Sequence, residues 1–223
     1  MPEPTIFLPV AEAYDRWSRF YDSYDNPLIF GVDQVIGLLA QTVAGKDVIE
    51  FGCGTGRNLL QLKKHGAASL IGCDLSAGML ARARRDPELE LLRHDIMQPL
   101  ARPSASVDVV LFSLTLEHVA DIAPPLREAR RLLRPSGTIL LIEIHPFMSM
   151  GNVGAHFRDG DDVVQMPTFP HAFSDYLNTA ASVGLRVAKC REWRPRDFRG
   201  PLPAKVLKRG SDFPLLVEFS LRL

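Results

Sequence analysis

The sequence predicts an α/β fold with a mainly parallel sheet, and three observations carry that prediction. From residue 46 onward, short runs rich in Val, Ile and Leu alternate with segments whose apolar residues recur three and four apart. The strand-like runs are apolar at nearly every position, as strands covered on both faces must be. A glycine-rich turn, "FGCGTG", then joins the first of these runs to the first helical segment.

Taken in order, the strand candidates are 47–51, 69–73, 89–93, 107–112 and 138–144, and the helices between them are 57–65, 77–85 and 126–133. Ser76 stands where an N-cap belongs, and Pro124 or Pro125 fits the first turn of the third helix, where a missing N–H is tolerated. Arg134, Pro135, Ser136 and Gly137 stop that helix. Ahead of the core, residues 11–31 carry Tyr14, Trp17, Phe20, Tyr21 and Tyr24 at helical spacing and predict an amphipathic helix whose aromatics either cap the core or cover a ligand. Behind it, residues 146–172 are too long and aperiodic for an ordinary connection and read as a binding loop, a lid or disorder. A helix over 173–183 and strands over 185–193 and 215–221 complete the chain, with a proline-rich stretch at 195–203.

The 223 residues are enough for one sizeable core, and 46% apolar with 23% charged residues is ordinary for a globular protein. Lys plus Arg equal Asp plus Glu at 26 each, so there is no basic excess to release counterions from phosphate, and no nucleic-acid partner is expected. Cys53, Cys73 and Cys190 are odd in number and widely spaced, which fits neither a disulfide framework nor a zinc site and points to reducing cytosol. The N-terminus lacks a basic start followed by an apolar run, and no stretch reaches the ~18 apolar residues of a membrane span. The expectation is a cytoplasmic protein without membrane contact, monomeric or homodimeric.

The glycine turn brings backbone close to a ligand, and the helix that follows offers unpaired N–H groups. A dinucleotide fingerprint GxGxxG fails, because Arg57 stands where its third glycine belongs. A P-loop fails too, for want of a lysine followed by Ser or Thr. Glu50, just before the turn, would repel a pyrophosphate and welcome an ammonium group. Asp74 closes the next strand, where a carboxylate can accept two ribose hydroxyls; that feature is shared with dinucleotide folds.

The series Glu50, Phe51, Gly52, Cys53, Gly54, Thr55 and Gly56 resembles motif I of the class I S-adenosylmethionine-dependent methyltransferases, and further motifs follow in the family's order through residue 145. The resemblance implies a Rossmann-like, seven-stranded, mostly parallel sheet with helices on both faces and an antiparallel last strand. It implies S-adenosylmethionine as cofactor, S-adenosylhomocysteine as product, and a small-molecule substrate. The cofactor-binding positions it carries over are Glu50, Gly52, Cys53, Gly54 and Gly56 around the methionine end, Asp74 and Leu75 at the ribose, and Asp95 and Ile96 at the adenine. Met79 fits the place beside ribose and adenine, although its pattern alone is that of a core methionine. Ser113, Leu114 and Tyr21 complete the set. Within one domain the resemblance divides the chain into an N-terminal helical lid (1–45), a cofactor-binding core (46–145), a substrate-side insertion (146–172) and a C-terminal helix and strands (173–223).

Methyl transfer from a sulfonium is an in-line displacement, so the protein mainly positions the partners and excludes water; a base is needed only for an acceptor that must lose a proton. The candidates are His118, His145, His156 and His171, with Glu117 and Tyr21. His145, after the fifth strand, is expected to face the crevice floor and ranks first as catalytic residue; His118, in an "LEH" run common in the family, ranks second. The histidine spacings match no compact metal motif, and "RDGDD" lacks an EF-hand pattern, so no metal is expected. The arginines from 191 to 199 read as a solvated edge. The leading expectation is a methyltransferase acting on oxygen or nitrogen in preference to carbon. A non-catalytic cofactor-binding subunit and a nicotinamide-dependent oxidoreductase remain the alternatives.

Overall fold

A computed structural model describes residues 5–151 and 154–223; residues 152 and 153 of the predicted insertion and residues 1–4 of the predicted lid lie outside the described residues. The elements in chain order begin with β1 (Thr5–Phe7), α1 (Val10–Trp17), α2 (Pro27–Ile36), α3 (Ala40–Val43), β2 (Asp47–Phe51), α4 (Arg57–Lys64), β3 (Ser69–Asp74), α5 (Ala77–Ala83) and β4 (Glu90–Arg93). They continue with β5 (Val107–Ser113), α6 (Ala123–Leu132), β6 (Leu133–Ile144), α7 (Pro146–Ser149), β7 (His156–Asp159), β8 (Asp162–Gln165), α8 (Phe173–Ser182), β9 (Arg186–Trp193) and β10 (Leu216–Arg222). Short 3-10 turns occupy Tyr21–Ser23, Leu116–His118 and Pro195–Asp197.

The apolar runs form a seven-stranded sheet in the order β4-β3-β2-β5-β6-β10-β9, and only β10 runs antiparallel to its neighbours. Both faces of the central strands are buried, which is why these runs are apolar throughout. Val48, Val109, Leu111, Leu140 and Ile142 pack toward Val35 and Ile36 of α2 and Leu59 and Leu62 of α4. Ile49, Ile71, Val110, Phe112 and Leu141 pack toward Leu126 and Ala129 of α6 and Tyr176 and Ala180 of α8. The chain builds β2, β3 and β4 outward in one direction, then β5 and β6 in the other, so the order reverses between β2 and β5. A crevice opens at the carboxyl ends where connections diverge in this way.

The N-terminal stretch expected as one helix is two. The Asn26 side chain accepts from Leu28 N at 2.9 Å and Pro27 opens α2, so a fresh cap ends any continuation from α1. The Arg134–Gly137 segment, expected only to stop a helix, starts β6, with a register shift where Val107 pairs with Leu133 and Val109 with Thr138. Arg134 is tied there to Asp47 and Asp108, each at 2.8 Å.

The insertion holds α7 and the β7–β8 hairpin, and β8 pairs in parallel with β1 to make a second sheet, β1-β8-β7. This sheet packs on α1: Trp17 stacks on Phe157 at 4.7 Å, among Ala13, Met79, Val164 and Met166. Arg16 bonds Asp159 at 2.6 Å and Asp162 at 2.7 Å, so the acidic "RDGDD" turn is a latch to α1.

Aspartates fasten the lead-in to the core. Asp15 accepts from Ser76 Oγ at 2.5 Å and Gly78 N at 2.7 Å, closing the N-terminus of α5. Asp22 accepts from Thr55 Oγ1 at 2.6 Å, and Asp33 accepts from Arg57 Nε at 2.9 Å and Gln61 at 2.7 Å. Arg57, the residue that breaks the dinucleotide spacing, therefore anchors α2 to α4.

Gly52 has a φ of +72°, and a Cβ there would lie 2.3 Å from Thr115 Oγ1. Gly52→Ala combines left-handed strain with a collision, and is expected to lower unfolding free energy by about 2–4 kcal/mol in urea denaturation with an unchanged slope.

Candidate active site

The site is built on the turn after β2. Gly52, Gly54 and Gly56 have φ of 72°, 55° and 78°, conformations that favour glycine. The N–H groups of Gly52 and Cys53 donate to Cys73 O at 2.7 and 3.0 Å, which fixes the turn to the end of β3. One carboxylate then joins two loops: Asp74 Oδ2 accepts from Gly54 N and its Oδ1 from Ser76 N, both at 2.8 Å. Burial raises the Asp74 pKa, and the two backbone donors oppose that rise.

Around this turn lies a cavity of about 220 Å³. Gly52, Gly54 and Asp74 line it at the turn, Leu75, Met79, Asp95 and Ile96 come from the β3 and β4 exits, and Ser113, Leu114 and His118 from the β5 exit. Tyr14 and Tyr21 of the N-terminal segment complete the wall. A narrower extension of about 50 Å³ passes Cys53 and reaches Asn58. Met79 is buried and packs with Ala13 and Trp17, as a core methionine would, while also lining the cavity.

Three predicted residues line none of these spaces. At Gly56 a Cβ would meet Ala83 and Leu89 at 3.2 Å, so this glycine serves packing behind the turn. Glu50 is fully buried; its Oε1 accepts from Asn58 Nδ2 at 2.7 Å, and its Oε2 has no hydrogen-bond partner among the described residues. Burial pushes Glu50 up to about 8, with the Asn58 bond pulling it back and Asp74 adding to the rise. Asn58, its hydrogen-bond partner, lines the narrower space.

The expectation that His145 faces the crevice floor is corrected by the structure. Its Nδ1 accepts from Phe147 N at 3.2 Å as the cap of α7, its ring meets Phe173 edge-on at 5.3 Å, and its Nε2 lies 3.4 Å from Glu192 Oε1. Successive strand residues face opposite ways, and it is Ile144 that lines a cavity.

That cavity is a second chamber, of about 360 Å³, walled by Trp17, Tyr24, Ile144, Met148 and Leu215 and holding Glu117. It shares Tyr14, Tyr21 and Leu114 with the first cavity. Leu114 is a non-glycine residue at φ 50°, held by its N–H donating to Ile142 O at 3.0 Å; strain of this kind persists where surroundings fix it, here on the wall between chambers.

His118 is committed on both nitrogens. Its Nδ1 is 3.0 Å from Pro167 O, a pure acceptor, which assigns the proton to Nδ1; Nε2 therefore accepts from the Tyr14 hydroxyl at 2.9 Å. Burial lowers the His118 pKa, and the Pro167 bond opposes this. Burial raises Glu117 to about 7, and its Oε2 has no hydrogen-bond partner among the described residues. Glu143 accepts from Thr115 N at 3.2 Å and Leu116 N at 3.3 Å, and burial with the nearby Glu117 charge lifts it to about 8. Of the other histidines, His171 Nε2 bonds the carbonyls of Leu116 and Val119 at 3.0 and 2.9 Å, and His156 is exposed, with Nδ1 on Gly154 O at 2.9 Å. In the arginine edge, Arg191 lies over Trp193, Arg194 pairs with Glu192 and Arg196 with Asp212.

Sequence reasoning missed Asn58 and the anchoring aspartates. Asn58 had a readable signal, as a polar residue in the first turn of the helix that leaves the glycine loop; Asp15, Asp22 and Asp33 had none beyond their place in an aromatic lead-in.

A sheet of this order, with a glycine turn and acidic strand ends around one cavity, defines a Rossmann-like ligand-binding domain. Residues 49–141 match a family model described as a methyltransferase domain. A probable S-adenosylmethionine-dependent methyltransferase of Mycolicibacterium smegmatis is 39% identical over 104 residues, covering 46% of this chain and 40% of that protein. A demethylmenaquinone methyltransferase of Corynebacterium kroppenstedtii is 30% identical over 138 residues, covering 60% of this chain and 59% of that protein. The chain thus spans between 40% and 59% of the length of these two relatives. Among solved structures, an S-adenosylmethionine-dependent methyltransferase of Mesorhizobium loti superposes with a TM-score of 0.68 at 23% identity, over 82% of this chain and 93% of that one, and shares the fold. Residues 49–141 are thus similar in sequence to methyltransferase domains, and most of the chain shares its fold with an S-adenosylmethionine-dependent methyltransferase.

Glu50, Glu117 and Glu143 titrate above their ordinary range, so the native state binds protons that the unfolded chain has already lost. Stability must then fall as pH rises through the folded values. The lowered values of His118 and His145 act in the opposite sense, but only below about pH 6.5. The thermal midpoint is therefore expected to fall between about pH 6.5 and 8, each protonated acid contributing a slope of about 1 kcal/mol per pH unit, and Glu50→Gln should flatten the decline in scanning calorimetry.

Proposed function

We propose that this protein transfers a methyl group from S-adenosylmethionine to an oxygen or nitrogen of a small-molecule acceptor. The observation that carries the reading is the shared wall: the cavity on the glycine turn and the Glu117 chamber meet at Tyr14, Tyr21 and Leu114, so a donor in one and an acceptor in the other face each other across a single boundary.

The residues present fit the donor. The orphaned Glu50 Oε2 behind Asn58 supplies latent negative charge beside the amino-acid end, as an ammonium group requires. Each Asp74 oxygen accepts one backbone N–H and keeps a lone pair for a ribose hydroxyl, while Asp95 and the Ile96 backbone stand at the adenine end. When bound, the donor supplies a methyl group already activated by its sulfonium. The protein's own residues do the positioning: α1 and the 3-10 turn at Tyr21 cover the cavity, and His118 orients the Tyr14 hydroxyl at the boundary. The Corynebacterium relative is named for a small-molecule acceptor, which supports the same class of acceptor here.

Calorimetry with S-adenosylmethionine and S-adenosylhomocysteine is expected to show saturable binding, and its absence sinks the proposal. Asp74→Ala is expected to weaken that binding by about 1–3 kcal/mol through lost hydrogen bonds. Incubation of the wild-type protein with isotopically methyl-labelled donor and a deproteinised cell extract should yield a labelled small molecule, identified by mass spectrometry.

A further inference from the structure

The methyl-transfer reading leaves open how an acceptor loses its proton. Of the histidines, His118 is saturated, His145 packs on the opposite face of β6, His171 is bonded to two carbonyls, and His156 sits on the exposed hairpin. Glu117 differs from them in combining two features, since His156 lines the second chamber but is exposed, and His145 Nε2 lacks a hydrogen-bond partner among the described residues but lines neither chamber. Glu117 lines the second chamber, is only 9% exposed, and its Oε2 is buried without a hydrogen-bond partner among the described residues. A buried polar atom left unpaired is costly, and a ligand donor at that position removes the cost.

We infer that Glu117 is the general base of the acceptor chamber, and that the acceptor is an apolar-bodied molecule presenting an O–H or N–H to it. The inference rests on the methyl-transfer reading. The walls dictate the body: Trp17, Tyr24, Ile144, Met148 and Leu215 offer apolar and aromatic surface. The step balances as follows. The acceptor oxygen or nitrogen donates a lone pair to the methyl carbon as the sulfur–methyl bond breaks, sulfur keeps that bonding pair and becomes a neutral thioether, and the acceptor proton passes to Glu117 Oε2. Water that refills the chamber after product release takes the proton onward.

The backbone holds Glu117 in place. Glu143 binds the N–H groups of Thr115 and Leu116, at the start of the 3-10 turn that carries Glu117, and His171 bonds the Leu116 carbonyl. The titratable groups around Glu117 are His118 on its own turn, with Nε2 3.9 Å from Oε1, Glu143 of β6, Tyr14 of α1, Tyr21 and Tyr176 of α8. Asp25, His156, Lys205, Lys208 and Arg209 line the same chamber. Burial raises the pKa values of the tyrosines and lowers that of His118, so among the buried groups packed around Glu117 the reversible charge belongs to the Glu117 and Glu143 carboxyls. Glu143 spends its oxygens on backbone.

The test measures label transfer from methyl-labelled S-adenosylmethionine into the deproteinised small-molecule extract. Glu117→Gln is expected to slow transfer at least about 100-fold while binding S-adenosylhomocysteine as the wild type does by calorimetry, and Glu117→Asp to recover part of the rate. The wild-type rate is expected to rise about tenfold per pH unit below about 7 and level off above it, and the residual Glu117→Gln rate to lose that limb. A merely structural role would lower the rate and leave the limb. Wild-type speed in Glu117→Gln, or a limb that survives the substitution, overturns the inference alone. If the wild type binds S-adenosylhomocysteine but labels nothing, the methyl-transfer reading falls and takes this inference with it.

Discussion

The site depends on the close approach of two strand exits. Between β2 and β5 the chain departs in opposite directions, and there the carboxyl ends of the sheet part to leave a crevice. Gly52 leaves one exit without a side chain and Thr115 fills the space from the other, its Oγ1 reaching Phe51 O at 3.3 Å and Ser113 O at 3.0 Å. The two exits are thus bonded to one another at the floor of the site. Leu114, forced left-handed beside that contact, is delivered to the boundary between chambers by the same geometry.

The aspartates of the lead-in act on top of that floor. Asp15, Asp22 and Asp33 reach the N-terminus of α5, the glycine turn and α4 in turn, so successive pieces of the N-terminal segment are registered against successive pieces of the cofactor site. The bonds to Asp15 and Asp22 come from backbone N–H or hydroxyl groups in half-buried surroundings, where geometry counts for more than charge, while Asp33 pairs with the Arg57 guanidinium. The aromatic cluster beneath them supplies the apolar burial that such bonds alone do not.

Much of the sheet was legible because parallel strands buried on both faces leave an unmistakable run of apolar residues: 47–51 coincides with β2 residue for residue, and 107–112 falls one short of β5. The glycine turn, Asp74 and Asp95 were legible because strand ends in such a fold are where ligand contacts must stand. The small sheet was not: β1, β7 and β8 have three or four residues each, and six of the eleven are polar, too little for a periodic signal. His145 was misplaced for a simpler reason. Its position at a strand end was readable, but its facing depended on which side of β6 Ile144 took, and that was set by packing from α2 and β10 across the chain. Glu117 was in view among the base candidates, but an unpaired oxygen is a property of surroundings and leaves no trace in the residue order.

The pairing of β1 with β8 joins the first described residues to a hairpin more than 150 positions later. The N-terminal segment and the insertion are therefore one roof with two rooms beneath it, since Tyr14 and Tyr21 look into both cavities while Trp17 is stacked on the hairpin. The two cavities therefore share a cover whose edges, distant in the chain, are hydrogen-bonded to each other.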